Sequence, residues 1–205
     1  MTKQLSVPRV PRVPRGTSDI LPSEISQWQD IEAKARRILA TYHFAEIRTP
    51  IFEQTSLFKR SLGQTSDVVN KQLLELVSPD KEEGFALRPE GTASAARSYI
   101  ENSMDRHEGI SKLFYIGAMF RGERPQKGRL RQFHQIGVEV IGANTATPYL
   151  DAEVIALNVE LLKTLGVKDF QLKLNTLGSP QDKENFSQAL RKALQPDVSK
   201  LCEDC

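Results

Sequence analysis

A cluster of cations lies among polar and aromatic side chains between Phe120 and Gln135, where the chain reads FRGERPQKGRLRQFHQ. A single acid, Glu123, accompanies these cations. So many like charges repel one another unless an anion neutralises them. The segment therefore predicts a site for a polyanion, either a nucleoside triphosphate or a nucleic-acid backbone. The cations are Arg121, Arg124, Lys127, Arg129 and Arg131.

The runs that flank this cluster, KLFYIGAMF and FHQIGVEVIG, read as the two strands of an antiparallel hairpin whose turn lies at Pro125 and Gly128. Because side chains alternate between the two faces of a strand, Gln135, Gly137 and Glu139 share one face of the second strand. The other face of that strand is mainly apolar, which predicts packing against a core. We expect Gly137 to leave room for a ligand to approach the backbone.

A basic hairpin tip in solvent, with no ligand, is the alternative interpretation of this pattern. In that case Arg121 pairs with Glu123, and Phe133 belongs to the hydrophobic core. The density of cations, amides and aromatic rings over so short a segment favours the binding site.

The same segment resembles motif 2 of the class II aminoacyl-tRNA synthetases, in the form found in the histidyl-tRNA synthetases. The resemblance runs from about Pro14 to the last residue of the chain. A single short motif would be weak evidence, but several motifs in the family's order and spacing are strong evidence. The other matching stretches are RGTSDILP at 15–22, EIRTPIFEQTSLFKRSLG at 46–63, LRPEGTA at 87–93 and NTLGS at 175–179.

The chain is predicted to have an α+β fold, with a class II synthetase-like antiparallel sheet flanked by helices and incomplete at its C-terminal end. Motif 1 covers about 24–63, where an amphipathic helix over 23–43 with Ser23 as its N-cap precedes a short strand over 44–50. Motif 2 covers about 112–142. The other predicted elements are strands over 85–90 and 170–174 and helices over 92–101, 147–165 and 186–194.

The resemblance implies a histidine–tRNA ligase, in which the carboxylate of L-histidine attacks the α-phosphorus of ATP and the histidyl group then passes to the 3′ end of tRNA(His). By the family's pattern, Arg121 is the catalytic contact to the α-phosphate, where a bidentate guanidinium suits the geometry better than lysine. Arg129 matches the contact to the terminal phosphates, Glu123 the contact to the adenine amino group, and Phe133 the stacking partner of the base. ATP is expected with Mg²⁺, and no metal site in the protein is implied.

Histidine recognition requires acceptors for a cationic ammonium group and for an imidazole N–H. The resemblance assigns the ammonium group to the turn formed by Glu90, Gly91 and Thr92, together with Gln135. It assigns the imidazole to Glu139, which lies four residues beyond Gln135 on the same strand face and can reach deeper.

The resemblance also implies partners. Arg124, Gln126 and Lys127 match positions that face the acceptor stem of tRNA, and the motif 1 region implies a homodimer. Residues 1–14 predict a flexible basic arm because their prolines block helix formation, and 15–205 predict the N-terminal part of a catalytic domain. A second histidine-specific segment, motif 3 and the anticodon-binding domain of the family have no counterpart here, so we expect a truncated chain that is inactive alone.

Composition bounds the class of protein. Lys and Arg number 28 against 26 Asp and Glu, so only the local cluster, and not the overall charge, predicts a nucleic-acid partner. No apolar run approaches the length of a membrane span or a secretory signal, which predicts a cytoplasmic protein.

Cys202 and Cys205 form a single C-x-x-C pair, which is weak evidence for zinc. Neither G-x-G-x-x-G nor a P-loop pattern occurs, so any ATP must be bound by side chains on a sheet.

Two other classes of function remain open. One is the synthetase-like regulatory subunit of ATP phosphoribosyltransferase, a paralogue with the same fold and no aminoacylation activity. The other is a non-catalytic dimerising or RNA-binding fragment. The complete motif 2 loop favours the ligase, because its polar tip suits a tRNA acceptor stem.

Overall fold

The structure, a computed structural model, describes residues 11–63, 68–77, 84–106, 109–176 and 178–202. The chain divides into two compact units, residues 1–168 and 169–205. The predicted division into an arm over 1–14 and a catalytic portion over 15–205 stays a prediction. Residues 1–10 of that arm lie outside the described residues.

The described residues form six strands and five α-helices, with three shorter helical segments between them. The strands are β1 (Ala45–Glu46), β2 (Phe52–Gln54), β3 (Glu75–Leu76), β4 (Phe85–Leu87), β5 (Ile110–Phe120) and β6 (Gln132–Gly142). The helices are α1 (Pro22–Thr41), α2 (Thr55–Leu62), α3 (Thr92–Glu101), α4 (Pro148–Thr164) and α5 (Pro180–Leu194). The shorter segments are π-helical at Val68–Gln72 and 3₁₀-helical at Met104–Arg106 and Gln195–Lys200.

The predicted hairpin of β5 and β6 is the central feature of the first unit. The two strands pair antiparallel over 11 residues each, with Tyr115 opposite Gly137 and Met119 opposite Phe133. β1 pairs in parallel with the other edge of β5, and β2, β4 and β3 form a second, antiparallel sheet. The predicted α+β fold with antiparallel sheets is confirmed. The parallel pairing of β1 with β5 was not part of that prediction.

The apolar face of the hairpin packs against α1 and α4. Phe114 of β5 belongs to a buried cluster with Leu39 of α1 and Leu157 of α4. Burying side chains of this size stabilises the fold by roughly 1.5–3 kcal/mol each. The opposite face of the hairpin meets α3, where Ala95 packs with Met119. The predicted core-facing side of β6 is confirmed, because these residues pack on the first cluster: Ile136, Val138 and Val140.

Two helix starts show how local sequence fixes an element. α1 begins at Pro22, and no side chain caps it, so the prediction that Ser23 is the N-cap is wrong. Proline suits the first helical position because the N–H that it lacks would have no partner there. α4 also begins with a proline, and the Thr147 hydroxyl accepts a hydrogen bond from the Leu150 amide at 3.4 Å. This confirms the predicted start of that helix.

The strand predicted over 170–174 does not form. A strand requires a hydrogen-bonded neighbour, and no strand among the described residues pairs with this segment. The alternating side chains Phe170, Leu172 and Leu174 are exposed instead. In the same unit α5 starts with a capping box: the Ser179 hydroxyl accepts from the Asp182 amide at 3.1 Å, and the Asp182 carboxylate accepts from the Ser179 amide at 2.8 Å.

The guanidinium of Arg88, directly after β4, joins the two sheets of the first unit. Its Nε donates to the Ala118 carbonyl of β5 at 2.9 Å, and its Nη1 donates to the Thr49 carbonyl at 3.0 Å. The Arg88 amide donates to the Ile51 carbonyl, and its carbonyl accepts from the Phe120 amide, both at 2.9 Å. The residue is only 7% exposed, and this burial lowers the pKa of its guanidinium. Hydrogen bonds to carbonyl oxygens thus offset the free-energy cost of burying the Arg88 cation.

We predict that Arg88→Met lowers the free energy of unfolding by about 2–4 kcal/mol, because the Ala118 and Thr49 carbonyls lose a buried donor. Urea unfolding followed by the emission of Trp28, which lies on α1, measures the change. Arg37→Met, at an exposed position of α1, is the matched control and should change stability by less than about 0.5 kcal/mol. An unchanged unfolding midpoint for Arg88→Met would contradict this role of the guanidinium.

Candidate active site

The loop between β5 and β6 ends in a tight turn. Backbone hydrogen bonds join Gln126 and Arg129 in both directions, at 3.0 and 2.9 Å. Gly128 has a φ of 79°, a conformation that favours glycine. The predicted turn is confirmed, and the side chains of Arg124, Gln126 and Lys127 are exposed around it.

Two segments that are distant in sequence hold the base of this loop. The Gly16 carbonyl accepts hydrogen bonds from the amides of Arg131 at 2.8 Å and Gln132 at 3.2 Å. On the other side, the Gly122 amide donates to the Gln72 carbonyl at 2.6 Å. Two separate parts of the chain therefore fix the position of the loop base.

A cavity of about 540 Å³ lies beside the loop. It brings together all four residues predicted to bind ATP: Arg121, Glu123, Arg129 and Phe133. Sequence reasoning missed the other residues that line it, Val68, Gln72, Gly128 and His134. Val68 and Gln72 come from the π-helical segment, which carries no motif, so no signal in the sequence pointed to them.

A larger cavity, of about 700 Å³, lies around Phe52 and Phe85 and contains none of the predicted site residues. Two acids and two arginines line it: Arg97 pairs with Glu53 and with Glu101, each at 2.6 Å, and the fourth charged residue is Arg60. Because these charges already neutralise each other, the larger cavity offers less attraction to an anionic ligand than the cavity beside the loop.

Arg121 connects the loop cavity with the turn after β4. Its Nε donates to the Pro89 carbonyl at 3.1 Å, and its guanidinium lies over the Phe133 ring, 5.0 Å from the ring centroid. Glu123 pairs with Arg129 at 3.6 Å rather than with Arg121, so the pairing considered from the sequence is wrong. The two contacts of Arg121 fix the orientation of its guanidinium, as bidentate contact to a phosphate requires.

The Glu90 carboxylate caps the start of α3. It accepts hydrogen bonds from the Thr92 amide at 2.5 Å and the Ala93 amide at 3.0 Å. The helix dipole stabilises a carboxylate at this position. Glu90 therefore has a structural role, and its remaining lone pairs are available as acceptors for a ligand.

Glu139 meets Thr92 across the face of the sheet. Its Oε1 accepts hydrogen bonds from the Thr92 hydroxyl at 2.8 Å and the Tyr115 hydroxyl at 3.3 Å. Burial raises the pKa of Glu139, and the charge of Glu90 acts in the same direction, whereas the two hydroxyl donors lower it. The structure thus brings together three of the residues predicted to bind histidine: Glu90, Thr92 and Glu139.

The space over Gly137 is filled by the ring of Tyr115. A Cβ atom on Gly137 would overlap this ring, and so would a Cβ atom on Gly91. The prediction that Gly137 leaves room for a ligand is therefore wrong, because the room accommodates a tyrosine of the protein. Gly91 has the same packing role, and its predicted contact to histidine stays a prediction. The hairpin register contained the signal, since Tyr115 lies directly opposite Gly137.

The predicted residues of β6 form a row along one face of the sheet. Phe133 lies at the cavity end of the row, Glu139 lies beside α3, and Gln135 lies between them. Gln135 lies two residues, or about 7 Å, beyond Phe133, and Glu139 lies four residues, or about 13 Å, beyond Gln135. The row can hold an aromatic base and phosphates at one end and a ligand with N–H donors at the other.

Metal-binding and membrane-spanning features were also sought. The described residues contain no group of three or more His, Cys, Asp or Glu side chains that could hold a metal ion. No helix in the described part of the chain is long and apolar enough to cross a membrane. Cys202 is exposed, and Cys205 lies outside the described residues.

Sequence comparison adds a direct finding: the profile of the family described as Histidyl-tRNA synthetase matches residues 16–195. The chain belongs to the histidyl-tRNA synthetase family. Histidine–tRNA ligase of Halothermothrix orenii is 48% identical over 194 residues, covering 95% of this chain and 46% of that protein. Histidine–tRNA ligase of Acaryochloris marina is 51% identical over 179 residues, covering 87% of this chain and 41% of that protein. The chain therefore spans less than half the length of these curated relatives.

Solved structures of the histidyl-tRNA synthetase family share the fold. The crystal structure of apo S. aureus histidyl-tRNA synthetase matches with a TM-score of 0.69 and 36% identity, over 96% of this chain and 45% of that one. A structure described as an ATP phosphoribosyltransferase regulatory subunit/histidyl-tRNA synthetase from Bacillus halodurans C matches with a TM-score of 0.65 and 29% identity, over 78% of this chain and 39% of that one.

We predict that the wild-type chain loses stability relative to Glu139→Gln as the pH rises from about 4 to 7. Burial holds the pKa of Glu139 in the folded state above its unfolded value, so the folded state binds more protons between the two values. Stability therefore falls as the pH rises through that window, by about 1.4 kcal/mol for each unit of pKa difference. Urea unfolding of both proteins across this range measures the effect. Parallel stability curves would contradict it.

Proposed function

We propose that this chain binds L-histidine and ATP for the activation of histidine, the first step in the ligation of histidine to tRNA(His). The observation that best supports this proposal is the row of Phe133, Gln135 and Glu139 on one face of β6, with Arg121 bonded to the Pro89 carbonyl at its cavity end. A row of this length suits a nucleotide and an amino acid bound end to end. Membership of the histidyl-tRNA synthetase family supports the same reaction.

The proposed reaction is a nucleotidyl transfer. An oxygen of the histidine carboxylate attacks the α-phosphorus of ATP and forms a new P–O bond. The bond from the α-phosphorus to the bridging oxygen breaks, and its electron pair leaves with pyrophosphate. Charge on the phosphoryl oxygens is stabilised by donors that are in place before the reaction begins. A hydroxyl oxygen at the 3′ end of the tRNA then attacks the carbonyl carbon of the adenylate and forms an ester bond. The bond from that carbon to the phosphate oxygen breaks, AMP leaves with the electron pair, and the hydroxyl proton is released.

For the nucleotide, we propose Arg121 as the catalytic residue at the α-phosphate, since two contacts already orient its guanidinium. The Arg129 side chain is 64% exposed, and its 3.6 Å pairing with Glu123 is loose, so it can turn toward the terminal phosphates. Glu123 is proposed to accept a hydrogen bond from the adenine amino group. Phe133 is proposed to stack on the base with the ring face that Arg121 does not cover. Mg²⁺ is proposed to enter with the phosphates of ATP.

For the amino acid, we propose that Glu90, Thr92 and Gln135 hold the ammonium group, with Gly91 at the same turn. The Glu90 carboxylate is fixed by two backbone amides and keeps acceptor capacity. Glu139 is proposed to accept the imidazole N–H, because its carboxylate is half-buried at the far end of the row from the cavity.

We also propose contacts to macromolecules. The exposed side chains of Arg124, Gln126 and Lys127 at the loop tip suit the acceptor stem of tRNA(His). A homodimer through the motif 1 region, residues 24–63, and a cytoplasmic location follow from the family pattern.

Titration calorimetry with MgATP and, separately, with L-histidine tests the binding part of this proposal on the 205-residue chain. Both ligands should bind, whereas L-phenylalanine, which has no N–H donor in its ring, should not. Histidine-dependent ATP–pyrophosphate exchange by the product of the complete gene tests the chemical step. If the chain fails to bind either one of the two ligands, histidine or ATP, the proposed function is contradicted.

We predict that Arg121→Lys weakens MgATP binding about tenfold and slows histidine-dependent exchange about a hundredfold, equivalent to about 3 kcal/mol. Lysine keeps the positive charge, but it lacks the planar guanidinium whose fixed N–H groups can hydrogen-bond the Pro89 carbonyl and a phosphate together. Arg106→Lys, at an exposed position of a 3₁₀ segment, is the matched control and should behave as wild type. Equal exchange rates for both variants would remove Arg121 from the catalytic role.

We also predict that Glu139→Gln weakens histidine binding about ten- to a hundredfold, or about 1.5–3 kcal/mol, and leaves MgATP binding unchanged. Glutamine keeps the size of the side chain but replaces a charged acceptor with a neutral one. Separate titrations with the two ligands measure the effect. Equal weakening of both ligands would indicate general disruption of the hairpin instead.

The regulatory-subunit function stays as a second candidate because the Bacillus halodurans C structure matches this chain at 29% identity over 78% of its length. The two candidates differ in the chemical step. If the chain binds histidine but the complete gene product shows no histidine-dependent ATP–pyrophosphate exchange, the regulatory subunit is favoured. If the complete gene product shows this exchange, the ligase is favoured.

A further inference from the structure

Tyr115 is a buried tyrosine at the centre of the candidate histidine-binding residues. Only 9% of it is exposed. Its ring fills the space over two glycines, because a Cβ atom on either Gly91 or Gly137 would overlap it. Gly91 precedes α3 and Gly137 lies on β6, so two separate elements leave room for this one ring. The hydroxyl then points to Glu139.

Two hydroxyl donors converge on a single oxygen of the Glu139 carboxylate. Thr92 donates to Oε1 at 2.8 Å, and Tyr115 donates to the same Oε1 at 3.3 Å. Thr92 lies on α3 and Tyr115 on β5, so the carboxylate is oriented from two directions. With Oε1 engaged in this way, the lone pairs of Oε2 are the ones left for a ligand.

We propose that Tyr115 is a positioning residue for histidine recognition, which holds Glu139 so that Oε2 faces the imidazole N–H of the substrate. This proposal rests on the proposed function, because it deepens the role given there to Glu139. Tyr115 acts through Glu139 and makes no contact with the reacting atoms.

The hydroxyl of Tyr115 is what separates this role from simple core packing. Phenylalanine would fill the space over both glycines equally well, and a buried hydroxyl is unfavourable unless it has a hydrogen-bond partner. Burial raises the pKa of Tyr115 to about 12, so the hydroxyl stays protonated and remains a donor at neutral pH. A neutral hydroxyl can orient a neighbouring carboxylate through a hydrogen bond without neutralising its negative charge.

The test compares Tyr115→Phe with Tyr149→Phe, a matched control at a position that is 86% exposed. Titration calorimetry measures the affinity of each variant of the 205-residue chain for L-histidine and for MgATP. Tyr115→Phe should bind histidine about three- to tenfold more weakly, as expected for one lost hydrogen bond. Its affinity for MgATP and its unfolding midpoint should match wild type. Tyr149→Phe should match wild type in all three measurements.

A second readout does not depend on histidine. The ionisable groups that face Glu139 are Tyr115, from β5, and Glu90, from the turn before α3. Removing the Tyr115 hydroxyl removes a donor that stabilises the charged carboxylate, so the pKa of Glu139 should rise in Tyr115→Phe. A ¹³C NMR titration of the glutamate carboxyl carbons follows this change. Tyr149→Phe should leave the Glu139 titration where it is in wild type.

The outcomes separate this inference from the proposed function. If wild type binds histidine while Tyr115→Phe has the same affinity and the same Glu139 titration, the positioning role is overturned and the proposed function stands. If Tyr115→Phe weakens both ligands equally or lowers the unfolding midpoint, the hydroxyl stabilises the fold in general and does not act specifically on histidine recognition, and the inference is again overturned. If wild type binds ATP but not histidine, the proposed function fails and the inference fails with it.

Discussion

The buried guanidinium of Arg88 is the contact on which the site depends most. It links the Thr49 carbonyl, before β2, to the Ala118 carbonyl of β5, so it sets the distance between the two sheets. Pro89 and Glu90 follow it directly in the chain. Their positions against the hairpin are therefore determined by Arg88: Pro89 meets Arg121, and Glu90 caps α3. The hydrogen bonds of the Arg88 cation to these carbonyls thus align the cavity beside the loop with the turn that carries Glu90.

Charge is arranged unevenly along the face of the hairpin that meets α3. Cations surround the loop end, whereas the carboxylates of Glu90 and Glu139 lie at the end beside α3. The proposed reaction brings together a carboxylate and a phosphate, which repel each other. Arg121 is suited to offset this repulsion because its hydrogen bond to the Pro89 carbonyl holds it next to the turn that carries Glu90.

The parts of the site that local pattern controls could be predicted from the sequence. Strand alternation gave the correct faces of β6, and glycine and proline gave the loop turn. Contacts between distant segments could not be predicted, because the sequence does not state which residues fill a space. Gly137 was expected to admit a ligand, but Tyr115 fills that space. Alternation over 170–174 predicted a strand and failed, since a strand also depends on a neighbour that local pattern does not reveal.

The motif 2 loop is clamped at its base and free at its tip. Gly16 and Gln72 hold the residues next to the strand ends, whereas Lys127 is exposed at the turn. In mechanical terms the loop is a short lever whose pivot lies near β5 and β6. Arg121 lies near the pivot, where its Nε donates a hydrogen bond to the Pro89 carbonyl. Under the proposed function, this arrangement presents the exposed tip to a bulky tRNA and keeps Arg121 in place for a phosphate.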